Sequence, residues 1–126
     1  METTSFQDIS LTHSSQNNSV QFKNQNQVII KNIDISTLIE FSDSVMFYFE
    51  SIGSVIIDTI NINSLTLKNS TLFKCLNITI LRINQLTVQD TTIDNLSKFF
   101  QFQSVENISI SSVIFDKIIN IDTTST

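Results

Sequence analysis

The residues able to carry chemistry are few and scattered. The one histidine, His13, sits in a Ser/Asn-rich stretch with no second ligand or acid–base partner beside it. The one arginine, Arg82, has no clustered carboxylates around it in sequence. The one cysteine, Cys75, lies in Phe73-Lys74-Cys75-Leu76, where a free thiol serves as a small apolar side chain. A reactive nucleophile needs an activating base or a lowered pKa, and the sequence indicates neither. Asp90 and Asp94 share a loop-like stretch without a basic partner at recognisable spacing. No catalytic set, cofactor site or metal site is expected, and no cofactor follows from the sequence.

Five Asn-x-Ser/Thr sequons are candidate glycosylation sites, at Asn17, Asn69, Asn77, Asn95 and Asn107. They point to an extracellular or cell-surface setting. Asn77 and Asn107 each directly precede a repeat start as aligned below, which also reads as a polar corner position. The start Met1-Glu2-Thr3-Thr4-Ser5 is not a charged start followed by an apolar run, so no signal peptide is expected in this chain. No apolar run approaches the length that spans a bilayer, so no membrane span is expected.

These side chains must be positioned by strands. The 126 residues include one Gly, no Pro and no Trp, and 40% are hydrophobic. Ile, Val, Thr and Phe fit a pleated, half-buried surface. A net charge of −5 with only seven dispersed Lys and Arg argues against nucleic acid as a partner. With 15% charged residues and regular apolar spacing, disorder is not the reading from Phe6 onward. The polar tails Met1–Ser5 and Asp122–Thr126 are expected to fray. A lone cysteine excludes an internal disulfide framework.

The apolar spacing recurs. Val28-x-Ile30-x-x-Ile33-x-Ile35, Val55-x-Ile57-x-x-Ile60-x-Ile62 and Ile108-x-Ile110-x-x-Val113-x-Phe115 share one pattern. Ile78-x-Ile80-x-x-Ile83 loses its last apolar place at Gln85, and Thr4-x-Phe6-x-x-Ile9-x-Leu11 is a weaker first copy. The whole chain, 1–126, is expected to be one solenoid with coils starting near 4, 28, 55, 78 and 108, at intervals of 24, 27, 23 and 30. A second landmark precedes the starts: Val20-x-Phe22, Phe47-x-Phe49, Leu72 alone, and Phe100-x-Phe102. A third follows them: Leu38, Leu65, Leu86 and Ile118. Length variation falls between the third landmark and the next coil, at Phe41 to Met46 and Ile93 to Lys98, where loops should bulge.

Alternation directs Ile30, Ile33, Ile35, Ile57, Ile60, Ile62, Ile80, Ile83, Ile110 and Val113 inward, in columns of like residues. Ser5, Ile29, Ile56, Thr79 and Ser109 point outward. Ile29 and Ile56 are then adjacent exposed apolar residues and form a candidate interaction patch. Asp34, Asn61 and Asn84 occupy equivalent places and form a second column. One carboxylate and two amides make neither an acid–base pair nor a hard-cation cage, so it reads as a solvated polar ladder.

Three short strands per coil and a period in the middle twenties resemble the right-handed parallel β-helix proteins of the pectate-lyase-like architecture. The resemblance covers Phe6 to Ile121 and implies an all-β parallel solenoid of about five coils. The alternative is a leucine-rich-repeat-like solenoid, since Ile57-x-x-Ile60-x-Ile62 matches the opening of that consensus. Leu65 stands where that repeat needs Asn or Cys, and the Phe-x-Phe strand has no place in it. In the pectate-lyase-like enzymes catalysis uses clustered carboxylates, often with calcium and a nearby Arg or Lys, and none is found here.

The function expected is a non-enzymatic structural or adhesive β-solenoid module of a surface or extracellular assembly. Its partners would be protein: further coils of a parent chain, or neighbouring chains end to end. Carbohydrate is a second partner class. The alternatives are a carbohydrate-active β-helix enzyme and a leucine-rich-repeat binding module. Both ends lack a capping helix signal, and Ile118, Ile119 and Ile121 look like the start of another strand.

Overall fold

A computed structural model describes residues 3–11, 20–35 and 39–120 of the chain. His13, Asn17, Leu38, Ile121 and the segment Asp122–Thr126 lie outside the described residues. Nine strands follow one another: β1 (Thr3–Leu11), β2 (Val20–Ile35), β3 (Ile39–Ser42), β4 (Val45–Asn63), β5 (Leu65–Lys68), β6 (Thr71–Ile83), β7 (Leu86–Ile93), β8 (Lys98–Ile110) and β9 (Val113–Asn120). Every pairing is parallel, between a strand and the one a turn later. The fold is a parallel β-solenoid of about four turns, with β1 lying as an extra strand on the first. About five coils are expected from the motif; the difference is that β1 pairs along part of a turn only.

The register is regular. Thr4 pairs with Val28, Val28 with Val55, Val55 with Leu81, and Leu81 with Ile108. The last three steps are 27, 26 and 27 residues. The fourth copy of the motif therefore starts at Leu81, not at Ile78. It reads Leu81-x-Ile83-x-x-Leu86-x-Val88, with all four side chains at most 1% exposed. Several expectations move with it. Thr79 gives way to Arg82 in the register column Ser5–Ile29–Ile56–Arg82–Ser109. Asn84 gives way to Thr87 in the column Asp34–Asn61–Thr87–Ile114. Phe73 and Cys75, not Leu72, hold the landmark pair, and Thr91, not Leu86, pairs with Ile118. Ile39 takes the place of Leu38 opposite Leu65.

One complete turn shows the inward code: Phe47, Phe49, Ile52, Val55, Ile57, Ile60, Ile62, Leu65 and Leu67 are all buried. Steps of two within a straight run are separated by steps of three across a bend, two of which follow one another about Ile52, because a strand changes side only where one extra residue turns the backbone. Many of these bends are left-handed. Asn24, Ser51, Asn77 and Ser104 form one column of positive φ, and Ser64, Asp90 and Lys117 form another. Asn32, Asp43, Thr59 and Asn69 complete the set. Asn and Asp tolerate this region better than other non-glycine residues. Gly53, the single glycine, does not have a positive φ: a Cβ there would lie 2.7 Å from the Asn26 carbonyl oxygen on the preceding turn. Its lack of a side chain permits that close approach.

The core is a set of columns. Phe47 stacks on Phe73 at 5.1 Å between ring centroids, and Phe73 on Phe100 at 5.7 Å. Phe22 stacks on Phe49 at 5.5 Å. Near-parallel, displaced rings at one strand spacing add to plain area burial. Of the expected core, Ile30, Ile33, Ile35, Ile57, Ile60, Ile62 and Ile83 are buried. Ile80 is half-buried because it sits between Ser54 and Asn107, outside the inward code. Ile110 is 48% exposed and Val113 half-buried because no turn lies beyond theirs.

Candidate functional site

The outer wall across β2, β4, β6 and β8 carries an open groove of about 540 Å³, lined among others by Gln21, Lys23, Asp43, Tyr48, Asn69 and Lys74. Alternation builds it: Gln21, Tyr48, Lys74 and Gln101 are register neighbours pointing away from the core. The Lys23 and Lys74 ammonium groups lie 5.6 Å and 6.0 Å from the Tyr48 ring centroid. The Tyr48 hydroxyl donates a short hydrogen bond to the Glu50 carboxylate. That bond, with some loss of water and the nearby negative charge, raises the phenol above its ordinary pKa. On the rim, Asn69 Nδ2 donates to Asp43 Oδ1 at 2.7 Å. The groove can present a ring, two cations and amides to a polar ligand, with both cations set against the ring and Asp43 held by Asn69.

The carboxylates that sequence reasoning weighed do structural work. Asn61 Nδ2 donates to Asp34 Oδ1 at 3.1 Å across the turn, a rung of the polar ladder. Asp90 is a left-handed bend residue. Asp94 organises the loop before β8. It accepts from the backbone N–H of Asn69 at 3.0 Å, from the Leu96 N–H at 3.2 Å and from the Ser97 hydroxyl at 2.7 Å. These donors, the Ser97 hydroxyl foremost, hold its carboxyl below the usual range. This loop is the longer bend expected at Ile93 to Lys98. Among the described residues no group of three or more His, Cys, Asp or Glu is placed to hold a metal.

Cys75 is fully buried, and burial pushes its thiol up to about 12. It occupies a Phe position, between Phe49 and Phe102 in register. Ile29 and Ile56, the candidate patch, are direct register neighbours and half-buried, with Arg82 next in the column. The sequon residues Asn69, Asn77, Asn95 and Asn107 are exposed. Asn77 is a left-handed bend, as a polar corner position requires. Asn107 instead lies within β8 opposite Ile80, and its true corner counterpart is Ser104.

The feature that sequence reasoning missed in its extent is the last turn. Ile108, Ile110, Ile114, Phe115 and Ile119 are all exposed, from 43% for Phe115 to 58% for Ile119. Among the described residues β8 pairs only with β6 and β9 only with β7, so a full turn of sheet edge lies open there. The fold makes this chain a parallel β-solenoid protein. No family model, curated protein or solved structure matches it. No helix of the described residues is long and apolar enough to cross a membrane.

Proposed function

We propose that the chain is a non-enzymatic structural or adhesive β-solenoid module of a surface or extracellular assembly, in which its end turns are covered by further β-coils. The pectate-lyase-like kinship of the coil belongs to the same reading. The observation that carries it is the contrast along the stack. Leu81, Ile83 and Val88 are fully buried, while their register partners Ile108, Ile110 and Phe115 are 43–48% exposed. A contiguous apolar surface with an unpaired sheet edge is what a monomeric domain avoids and what an extendable stack needs. Four exposed sequons along the wall favour an extracellular setting.

A grafted turn tests the reading. Asn120 is joined, through a copy of the Ser42–Ser44 corner, to a second copy of the turn Val45–Lys68. If the last turn is built for extension, the longer chain melts at a clearly higher temperature in one cooperative transition, and amides of Lys98–Asn120 gain protection. An unchanged midpoint with unprotected amides there would overturn it.

A further inference from the structure

We propose that this chain stacks head to tail on copies of itself, the Lys98–Asn120 turn of one copy pairing with the Thr3–Leu11 strand of the next. The proposal rests on the reading of the chain as an extendable module and names what extends it. Among the described residues β8 and β9 each have one open edge, and at the other end β1 pairs only with β2. Every ladder is parallel, so the two open edges run in the same direction. A parallel ladder continues only on a strand with the same direction and the same bend.

The chain's own first strand meets both conditions. β1 lies on β2 with Thr4 opposite Val28, Phe6 opposite Ile30, Ile9 opposite Ile33 and Leu11 opposite Ile35. Its step from Phe6 to Ile9 therefore matches the step from Ile110 to Val113. Carried one layer further, Ile108 faces Thr4 of the next copy, Ile110 faces Phe6, Val113 faces Ile9 and Phe115 faces Leu11. Three of those four incoming residues are apolar, and they arrive over Ile110, Val113 and Phe115, none of which is buried. The contact joins two different surfaces and does not close on itself, so it propagates. The occupant is thus a second copy, because this chain carries the complementary strand in the right direction and spacing.

Disulfide trapping in the full-length chain tests the register. Ser109 continues the column Ser5–Ile29–Ile56–Arg82–Ser109, so it should lie opposite Ser5 of the next copy. Adjacent parallel strands at about 4.8 Å fall within the Cα separation a disulfide spans, roughly 4.4–6.8 Å. Cys75, buried, does not compete. Under mild oxidation Ser5→Cys/Ser109→Cys should give a ladder of covalent multimers whose peptide maps show the 5–109 link. It should do so at least tenfold faster than Ser5→Cys/Ser111→Cys. Ile110→Lys should abolish growth in light scattering at an unchanged circular dichroism spectrum, and Ile108→Lys serves if that variant unfolds. Multimers no faster than the control, dimers formed as readily by Ser109→Cys alone, or a monodisperse wild-type monomer over a wide concentration range would each overturn the proposal. Growth without the 5–109 link would overturn this register while leaving the extendable module standing, which only the grafted-turn result can remove.

Discussion

The turn Val45–Lys68 and the turn Lys98–Asn120 are written in the same code and live in different environments. Val55, Ile57, Ile60 and Ile62 are fully buried; at the matching places Ile108, Ile110 and Phe115 are about half exposed and Val113 half-buried. The strands, bends and register are alike. What differs is whether a turn lies on both sides. In a solenoid the local pattern therefore specifies the coil, and the neighbours specify the burial.

The comparison can be broken most forcefully in the middle. Ile60→Ala removes a fully buried side chain flanked by Ile33 and Leu86, and should cost about 2–5 kcal/mol in denaturant unfolding. Ile110→Ala in the last turn should cost well under half of that in the unassociated chain. Equal costs would mean that the last turn is packed as tightly as the centre. Gly53→Ala comes next. Its methyl would meet the Asn26 carbonyl oxygen, and the backbone must give way, at a cost of about 1–3 kcal/mol. A neutral result would show that the turns there are further apart than 2.7 Å implies.

Asp94 gives a local, pH-dependent contrast between a bend held by a carboxylate and the two-residue bends elsewhere. Its folded pKa is lowered from 3.8, so its stabilisation is complete above that value and is lost as pH falls below it. Amide exchange at Asn69, Leu96 and Ser97 should accelerate on acidification ahead of exchange at Ile57 and Ile60. Asp94→Asn should abolish that early loss. The smallest expected effect is at the wall: Ile29→Ser/Ile56→Ser should leave the melting temperature nearly unchanged. A large drop would show that these half-buried residues are core rather than contact surface.

The architecture was legible because the inward code repeats at nearly constant length. It was misread in one turn for a physical reason. Inward places are separated by steps of two and three, so the code almost overlays itself when shifted by three residues. Ile78 and Ile83 belong to the true set, and the outward Ile80 completed a false copy. Phe73-x-Cys75, eight residues before Leu81, carried the correct phase, but Cys does not look aromatic in sequence. The bends were half legible. Asn24, Asn32, Asn69 and Asn77 advertise left-handed backbone, whereas Ser51, Thr59, Ser104 and Lys117 do not. Exposure of the last turn was not legible at all in its residues, since Ile108 and Ile110 are as apolar as their buried counterparts. The groove around Tyr48 depends on register across turns, which no local window contains.

The near-constant step of 26 or 27 residues between equivalent positions has a consequence for inheritance. An unequal exchange between the gene segments for Val45–Lys68 and Thr71–Ile93 joins like to like. The product keeps its reading frame, inward columns and bends, and differs from its parent only in length. For this molecule, growth or shrinkage by a whole turn leaves the register of the remaining turns intact.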